Sequence, residues 1–325
     1  MAKKIGLYCI YVFFVLSVVF LFATRARKSF IDTIVIWYSW SSKALWDNTL
    51  TSNYYTYAGE SYSAGEIVTQ DSKIAMNYYL KAAKRGEAEA QNYLGVGYSN
   101  GNGIEYDNKQ AVFWFKQAAE KNNYWAQHNL GNCYYYGYGV EQNYNTAVEW
   151  YMKAAEQRHS GAQYQLGVCY DFGYGVEQNY NIAVEWYIKA AEQGHAEAQR
   201  DLGFCYNYGK GVNQNYEQAV YWYRKAAEQG HAKAQRNLGN RYYNGEGVIQ
   251  DYEQAIYWYH KAAEQNDVVA QINLGNCYYN GKGVEKDNIT SLYWYEKALE
   301  NNVMELSEVN VILAKEKIQE LKTNR

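Results

Sequence analysis

One period of 36 residues runs through most of this chain, and it limits the possible folds more than any other feature. A Leu-Gly pair, a Trp and a Gly-x-Gly turn each return every 36 residues, and no insertion separates the copies. The leucines of these pairs are Leu94, Leu130, Leu166, Leu202, Leu238 and Leu274. A weaker seventh copy lies upstream, with Ala58-Gly59 in place of Leu-Gly. Similarity at a fixed period indicates a repeat architecture.

Each copy has the pattern of two short helices. In one copy Ala162, Leu166 and Tyr170 are spaced by four and share a helix face, and Gly173 is placed to end that helix. A second helix follows Asn179, and every copy has Asn or Asp at this position, as N-caps require. A helix pair of this size is below the roughly 40 residues that fold unaided, so the copies must stack.

We therefore predict an all-α solenoid of about seven 36-residue helix-turn-helix repeats over residues 52–302. Residues 303–325 are predicted to form a C-terminal capping helix, because apolar residues follow one of its faces. The chain contains no proline, so nothing removes a backbone donor from these helices.

The repeat pattern is similar to a known family. The sequence from Ala147 to Gln157, followed by Ala162-Gln163, Leu166 to Tyr170 and Gly173 to Val176, resembles the Sel-1-like repeat of the tetratricopeptide-like superfamily. The resemblance implies a right-handed α/α superhelix. It also implies an adaptor in protein complexes, because some members act beside membrane-bound ubiquitin ligases and others serve bacterial signalling or host contact.

The first 28 residues have the pattern of a membrane anchor or a signal segment. An uncharged run from Ile5 to Ala23 is flanked by lysines on one side and by Arg25 on the other. Its length is close to the ~20 apolar residues that span a bilayer, whereas a cleaved signal has an apolar core of ~7–15 residues. We predict a single transmembrane helix over 5–23 and a juxtamembrane linker over 29–51. Basic residues flank both ends, so the side of the membrane that carries the repeats stays open.

Cysteines and histidines also recur with the period. They are Cys133, Cys169, Cys205 and Cys277, and His159, His195 and His231. Copies stacked about 10 Å apart are beyond the reach of a disulfide, and the histidines fall on separate turns rather than around one ion. We expect small buried cysteines, loop histidines and no metal or cofactor. No catalytic motif appears, and the net charge of −3 does not favour a nucleic-acid partner. We therefore predict neither an enzyme nor a small-molecule substrate.

Three positions of the first helix differ between copies and form a stripe about 200° away from the Leu face. The candidate binding residues on this stripe are His128, Tyr164, Arg200 and Arg236 at the first position, Phe204 at the second, and Tyr135, Asp171, Asn207, Tyr243 and Tyr279 at the third. Tyr, Asn and Arg suit polypeptide recognition. By resemblance to tetratricopeptide arrays, the stripe should line a concave groove; the alternative is an ordinary polar surface.

The predicted function is a membrane-anchored scaffold or adaptor that binds a protein or peptide partner in this groove. Two alternatives stay open. One is a secreted, bacterial-type repeat effector or enzyme whose signal peptide is removed. The other is an adaptor subunit of a membrane ubiquitin-ligase complex in protein quality control.

Overall fold

The computed structural model describes residues 48–64, 70–300 and 308–323, and all the regular secondary structure in these ranges is α-helical. The helices are α1 (Asn48–Ala64), α2 (Ser72–Ala83), α3 (Ala88–Asn100), α4 (Asn108–Ala119), α5 (Tyr124–Tyr136), α6 (Tyr144–Glu156), α7 (Ser160–Phe172), α8 (Tyr180–Glu192), α9 (Ala196–Tyr208), α10 (Tyr216–Glu228), α11 (Ala232–Asn244), α12 (Tyr252–Glu264), α13 (Val268–Asn280), α14 (Asn288–Glu300) and α15 (Glu308–Thr323). The predicted all-α repeat fold is confirmed.

The predicted membrane helix over 5–23 lies outside the described residues, as does most of the predicted linker. Among the helices that are described, none combines the length and the apolar character needed to cross a bilayer. The N-terminal anchor therefore stays a prediction.

The chain divides into two compact units, residues Met1–Ala154 and Ala155–Arg325. In the first unit α1 to α5 pack against one another in chain order, and in the second unit α7 to α15 do the same. Within each of these two series each helix thus contacts the next, which is how a repeat solenoid buries the apolar faces of its helix pairs. Helix α15 packs on α14 and closes the apolar end of the second unit.

The helix ends follow the caps expected from the sequence. Asn179 accepts hydrogen bonds at its side-chain oxygen from the backbone N–H groups of Asn181 and Ile182, and so begins α8. Gly173 ends α7 with φ 75°, a conformation that favours glycine. Arg158 takes the same left-handed region with φ 65°, although other copies have Gly or Asn there.

The glycine of each Leu-Gly pair allows an aromatic ring to approach the first helix. A Cβ atom on Gly167 would lie 2.4 Å from the ring of Tyr187, and one on Gly203 would lie 2.7 Å from the ring of Tyr223. Both rings are fully buried. The glycine thus sets the packing distance between the two helices of its own copy, whereas the leucine before Gly203, Leu202, packs in one apolar cluster with Tyr187 of the preceding copy.

A row of buried glutamines links successive copies, and the sequence analysis did not anticipate it. The side-chain amide of Gln199 donates to the carbonyl oxygen of Ala191 over 3.0 Å, at the end of the preceding α8. Its own carbonyl oxygen accepts a hydrogen bond of 2.7 Å from Gln229, after α10. Gln163 and Gln235 repeat the arrangement within the second unit.

Candidate functional site

The first helices of two adjacent copies, α9 and α11, form a cavity of about 240 Å³ in the second unit. Its lining residues are Arg200, Phe204, Asn207 and Tyr208 of α9, Tyr223 of α10, and Lys233, Arg236, Asn237, Asn240 and Arg241 of α11. Two pairs of lining residues, Arg200 with Arg236 and Phe204 with Asn240, occupy equivalent positions of the two copies, so the repeat register places part of the lining.

Four of the ten predicted binding residues meet at this cavity: Arg200, Phe204, Asn207 and Arg236. Tyr164, Asp171, Tyr243 and Tyr279 belong to the second unit but do not line the cavity, and His128 and Tyr135 belong to the first unit. The stripe on the helical wheel therefore identified part of the lining, and it included residues that the structure places elsewhere.

Several of those other residues contact side chains of the same protein. The carboxylate of Asp171 accepts a salt bridge from Lys210 over 2.6 Å, and the Tyr243 ring packs edge-on against Tyr252. Tyr279 donates a hydrogen bond to Glu320 of α15, so the capping helix contacts the stripe in the last copy.

In the first unit, the two predicted residues lie among aromatic rings. His128 lies with its ring 6.0 Å from that of Tyr151, and Tyr135 packs against Tyr144 with 5.2 Å between ring centroids. Both residues are half-buried.

The first position of the stripe takes part in packing between copies. Tyr164 donates to Asp201 of the next first helix over 3.1 Å, and Arg236 forms a salt bridge of 3.0 Å with Asp267 at the start of α13. At Tyr164 and Arg236 the variable first position is therefore constrained by contact with the next copy. A helical wheel shows the direction of a side chain but not the neighbouring copy that it meets.

Four of the ten residues that line the cavity are cationic, and none is acidic. Arg200 pairs with Asp201, and Arg241 pairs with Glu246 at 2.5 Å. Burial raises the pKa of Asp201 to about 6, although the charge of Arg200 opposes this shift. Lys233 forms no ion pair with any residue that the structure describes.

Arg241 is the cavity residue whose importance the sequence analysis missed. Its position holds a buried cysteine in four copies and Gly97 in another. Only 13% of the Arg241 side chain is exposed. One terminal nitrogen of its guanidinium donates to Asn207 and pairs with Glu246, but its Nε–H is buried without an acceptor. The replacement of a small residue by arginine at this repeat position was the sequence feature that could have identified Arg241.

An aromatic pair adjoins these cations. The ring centroids of Phe204 and Tyr208 are 4.5 Å apart, and the two residues are 39% and 65% exposed. Exposed aromatic side chains next to arginines are common at the energetic centres of protein interfaces.

The periodic histidines are N-caps. The Nδ1 atom of His159 accepts a hydrogen bond of 3.0 Å from the backbone N–H of Ala162, and His195 and His231 do the same at α9 and α11. Burial lowers the pKa of His159 to about 4, and the nearby charge of His195 adds to this shift. These histidines are therefore neutral acceptors at pH 7.

The periodic cysteines are buried free thiols, and burial raises the pKa of each to about 12. No group of three or more potential metal ligands occurs among the residues that the structure describes. We assign these positions to helix packing, because a buried thiol of raised pKa behaves as a small apolar side chain.

Stacked helix pairs with variable side chains around a surface cavity define a tetratricopeptide-like helical repeat protein. The chain belongs to the Sel1 repeat family. The family model matches seven times, at residues 54–87, 88–123, 126–159, 160–195, 196–231, 232–267 and 268–303. The expected resemblance and the number of copies are both confirmed.

Two solved structures are similar over most of the chain. A Sel1 repeat protein from Oxalobacter formigenes is 35% identical with a TM-score of 0.66, over 78% of this chain and 97% of that one. A protective antigen of uropathogenic Escherichia coli strains, which displays an SLR fold, is 28% identical with a TM-score of 0.53, over 92% of this chain and 88% of that one. Comparison with curated proteins gave no match.

Proposed function

We propose that this Sel1 repeat protein is a non-enzymatic scaffold that binds a protein or peptide partner at the cavity between α9 and α11. Arg200, Phe204, Asn207 and Arg236 are its proposed core, and the other stripe residues are proposed to extend the same surface within their own units. The cavity itself is the observation that carries this proposal. It collects arginine, amide and aromatic side chains from positions that differ between copies.

The chemistry of the lining supports a polypeptide ligand. Asn237 supplies an amide group that can donate to and accept from a peptide backbone. Asn240 supplies an amide donor, because its side-chain oxygen already accepts from Tyr259 and Asn273. Phe204 and Tyr208 supply exposed apolar area, and the arginines supply forked donors. These residue types are enriched at protein interfaces.

Site-specific photo-cross-linking tests this proposal. A photoreactive amino acid replaces Tyr208, which lines the cavity, or Tyr221, which is similarly exposed on α10 but does not line it. We expect a cross-linked partner from the native cells at position 208 and none at 221. Equal cross-linking at both positions, or none at 208, contradicts the assignment.

We also propose that the repeats are tethered to a membrane through residues 5–23. The support is the uncharged run between basic flanks, whose length matches the bilayer core. Intact-mass measurement of the native protein, together with membrane fractionation, tests this. A mature chain that begins after Ala23 or Ala26 would remove the tether and favour the secreted alternative.

A further inference from the structure

Helix α11 departs from the repeat consensus toward positive charge. Lys233 stands where two other copies have glutamate, Glu89 and Glu197. Arg241 stands where the other copies have cysteine, glycine or, in the first copy, Ser61. With Arg236, they give α11 three cationic side chains and no acidic one, and all three line the cavity.

The cavity holds more cationic donors than the protein satisfies. Arg200, Arg236 and Arg241 each pair with one carboxylate, but Lys233 has no carboxylate partner within the described chain. The Nε–H groups of Arg200 and Arg241 are buried without an acceptor. Burying a charged group is unfavourable unless its hydrogen bonds are completed, so this arrangement favours a ligand that brings oxygen acceptors.

The aromatic pair and the amides further limit the kind of ligand that fits the cavity. Phe204 and Tyr208 offer exposed rings beside the cations, which suits an apolar side chain next to the anionic one. Asn207 already accepts from Arg241, which holds the guanidinium at the cavity wall. A small inorganic anion would use only the charges and leave the rings uncovered.

We propose that this cavity binds an acidic peptide segment, with carboxylate side chains at Lys233 and Arg241 and a neighbouring apolar residue on Phe204 and Tyr208. The proposal rests on the proposed function, since it names the partner class for the same site. Arginine forks and a lysine ammonium match carboxylates in geometry and charge.

A peptide library selection on the full chain tests the proposal. Decapeptides with acetylated and amidated ends are passed over the immobilised protein, so that carboxylates come only from side chains. A second library contains phosphoserine in place of Asp and Glu. Retained peptides are identified by mass spectrometry, and the best binders are resynthesised for affinity measurements at low and high salt.

Two variants return the site to the repeat consensus. Arg241→Cys restores the small residue of four other copies, and Lys233→Glu restores the acidic residue of two. Lys315→Glu is the matched control, because Lys315 is exposed on α15 and does not line the cavity. Helical content of each variant is checked by circular dichroism.

We expect the wild type to retain peptides rich in Asp and Glu with an adjacent aromatic or Leu residue. Each consensus variant should weaken binding by about tenfold or more, since each removes a charged hydrogen-bond donor, and Lys315→Glu should not. If Arg241→Cys fails to fold, Lys233→Glu still tests the proposal, because Lys233 is exposed and its substitution should leave the fold intact.

Three outcomes overturn the proposal. Retained peptides without acidic enrichment leave the scaffold function standing but refute the acidic ligand. Preference for phosphoserine over Asp and Glu assigns the site to phosphopeptides instead. Retention of no peptide at all refutes the acidic-peptide ligand, whereas the scaffold function is refuted separately by the absence of cross-linking at position 208.

Discussion

Acid should weaken the second unit through its histidine N-caps, and His159→Asn should remove most of that effect at one cap. His159 accepts from the Ala162 N–H through a neutral ring nitrogen, and only 8% of the residue is exposed. A protonated ring cannot accept at this nitrogen. Asparagine serves the same position in another copy, where Asn123 accepts from Ala126 over 2.9 Å.

The direction and size of the change in unfolding free energy with pH follow from the pKa of His159. Burial lowers the pKa of His159 from 6.5 to about 4, so between these values the unfolded chain binds a proton that the folded chain does not. The free energy of unfolding therefore falls as pH falls from 6.5 to 4. The full effect is about 3 kcal/mol, and at pH 4.5 about 2.5 kcal/mol of it has been lost.

Urea unfolding at pH 7 and at pH 4.5 measures this difference. At pH 7 we expect wild type and His159→Asn to agree within about 1 kcal/mol, because both side chains cap α7. At pH 4.5 the variant should be more stable than wild type by about 2 kcal/mol. Asp201, whose raised pKa of about 6 acts in the opposite direction, contributes equally to both chains and cancels.

Two results would refute this reasoning. One is an equal loss of stability on acidification in both chains. The other is an NMR titration that places the pKa of His159 at or above 6. A histidine with that pKa binds its proton almost equally in the folded and unfolded chains, so it cannot make stability depend on pH.

Three further predictions concern stability, each measured by denaturant unfolding at pH 7. Gly203→Ala should destabilise by about 1–3 kcal/mol despite the better helix propensity of alanine, because its Cβ would clash with the Tyr223 ring; an increase in stability contradicts this packing. Arg158→Gly should stabilise by up to about 1 kcal/mol, since glycine adopts φ 65° without strain; Lys189→Gly, inside α8, is the control and should destabilise. Gln199→Leu should cost about 1–3 kcal/mol, because it leaves the Gln229 amide without its acceptor and removes one of the donors to the Ala191 carbonyl; a neutral result would show that the glutamine row does not stabilise the fold.

The fold was predictable because each copy of the repeat contains the residues that cap, end and pack its two helices. The Asn or Asp caps, the left-handed glycines and the buried leucines all have the roles expected from their spacing. The glutamine row was not predicted, since a buried amide beside alanines resembles a surface residue in sequence. Its partners come from two neighbouring copies and only stacking brings them together.

The candidate site was predictable in part. Arg200, Phe204, Asn207 and Arg236 were found because they vary where packing residues do not. Arg241 was passed over because its position was interpreted through the cysteines of the other copies. Tyr164 was included among the predicted binding residues because the pattern of one helix does not reveal its hydrogen bond to Asp201 in the next copy. Variation between copies thus identifies candidates, and contact with the adjacent copy decides which of them are available to a ligand.

The glutamine contacts are the same at successive junctions of the second unit, and the glycine–tyrosine contact is the same within successive copies. Excision of residues 196–231 would therefore bring Gln235 to the carbonyl of Ala191 in place of Ala227, with donor and acceptor still matched. Removal or addition of whole modules would therefore keep the glutamine contacts matched, whereas pairs that are particular to one junction, such as Tyr164 with Asp201, would be lost. An insertion of one or two residues inside a helix would instead rotate the residues that follow it away from their contacts.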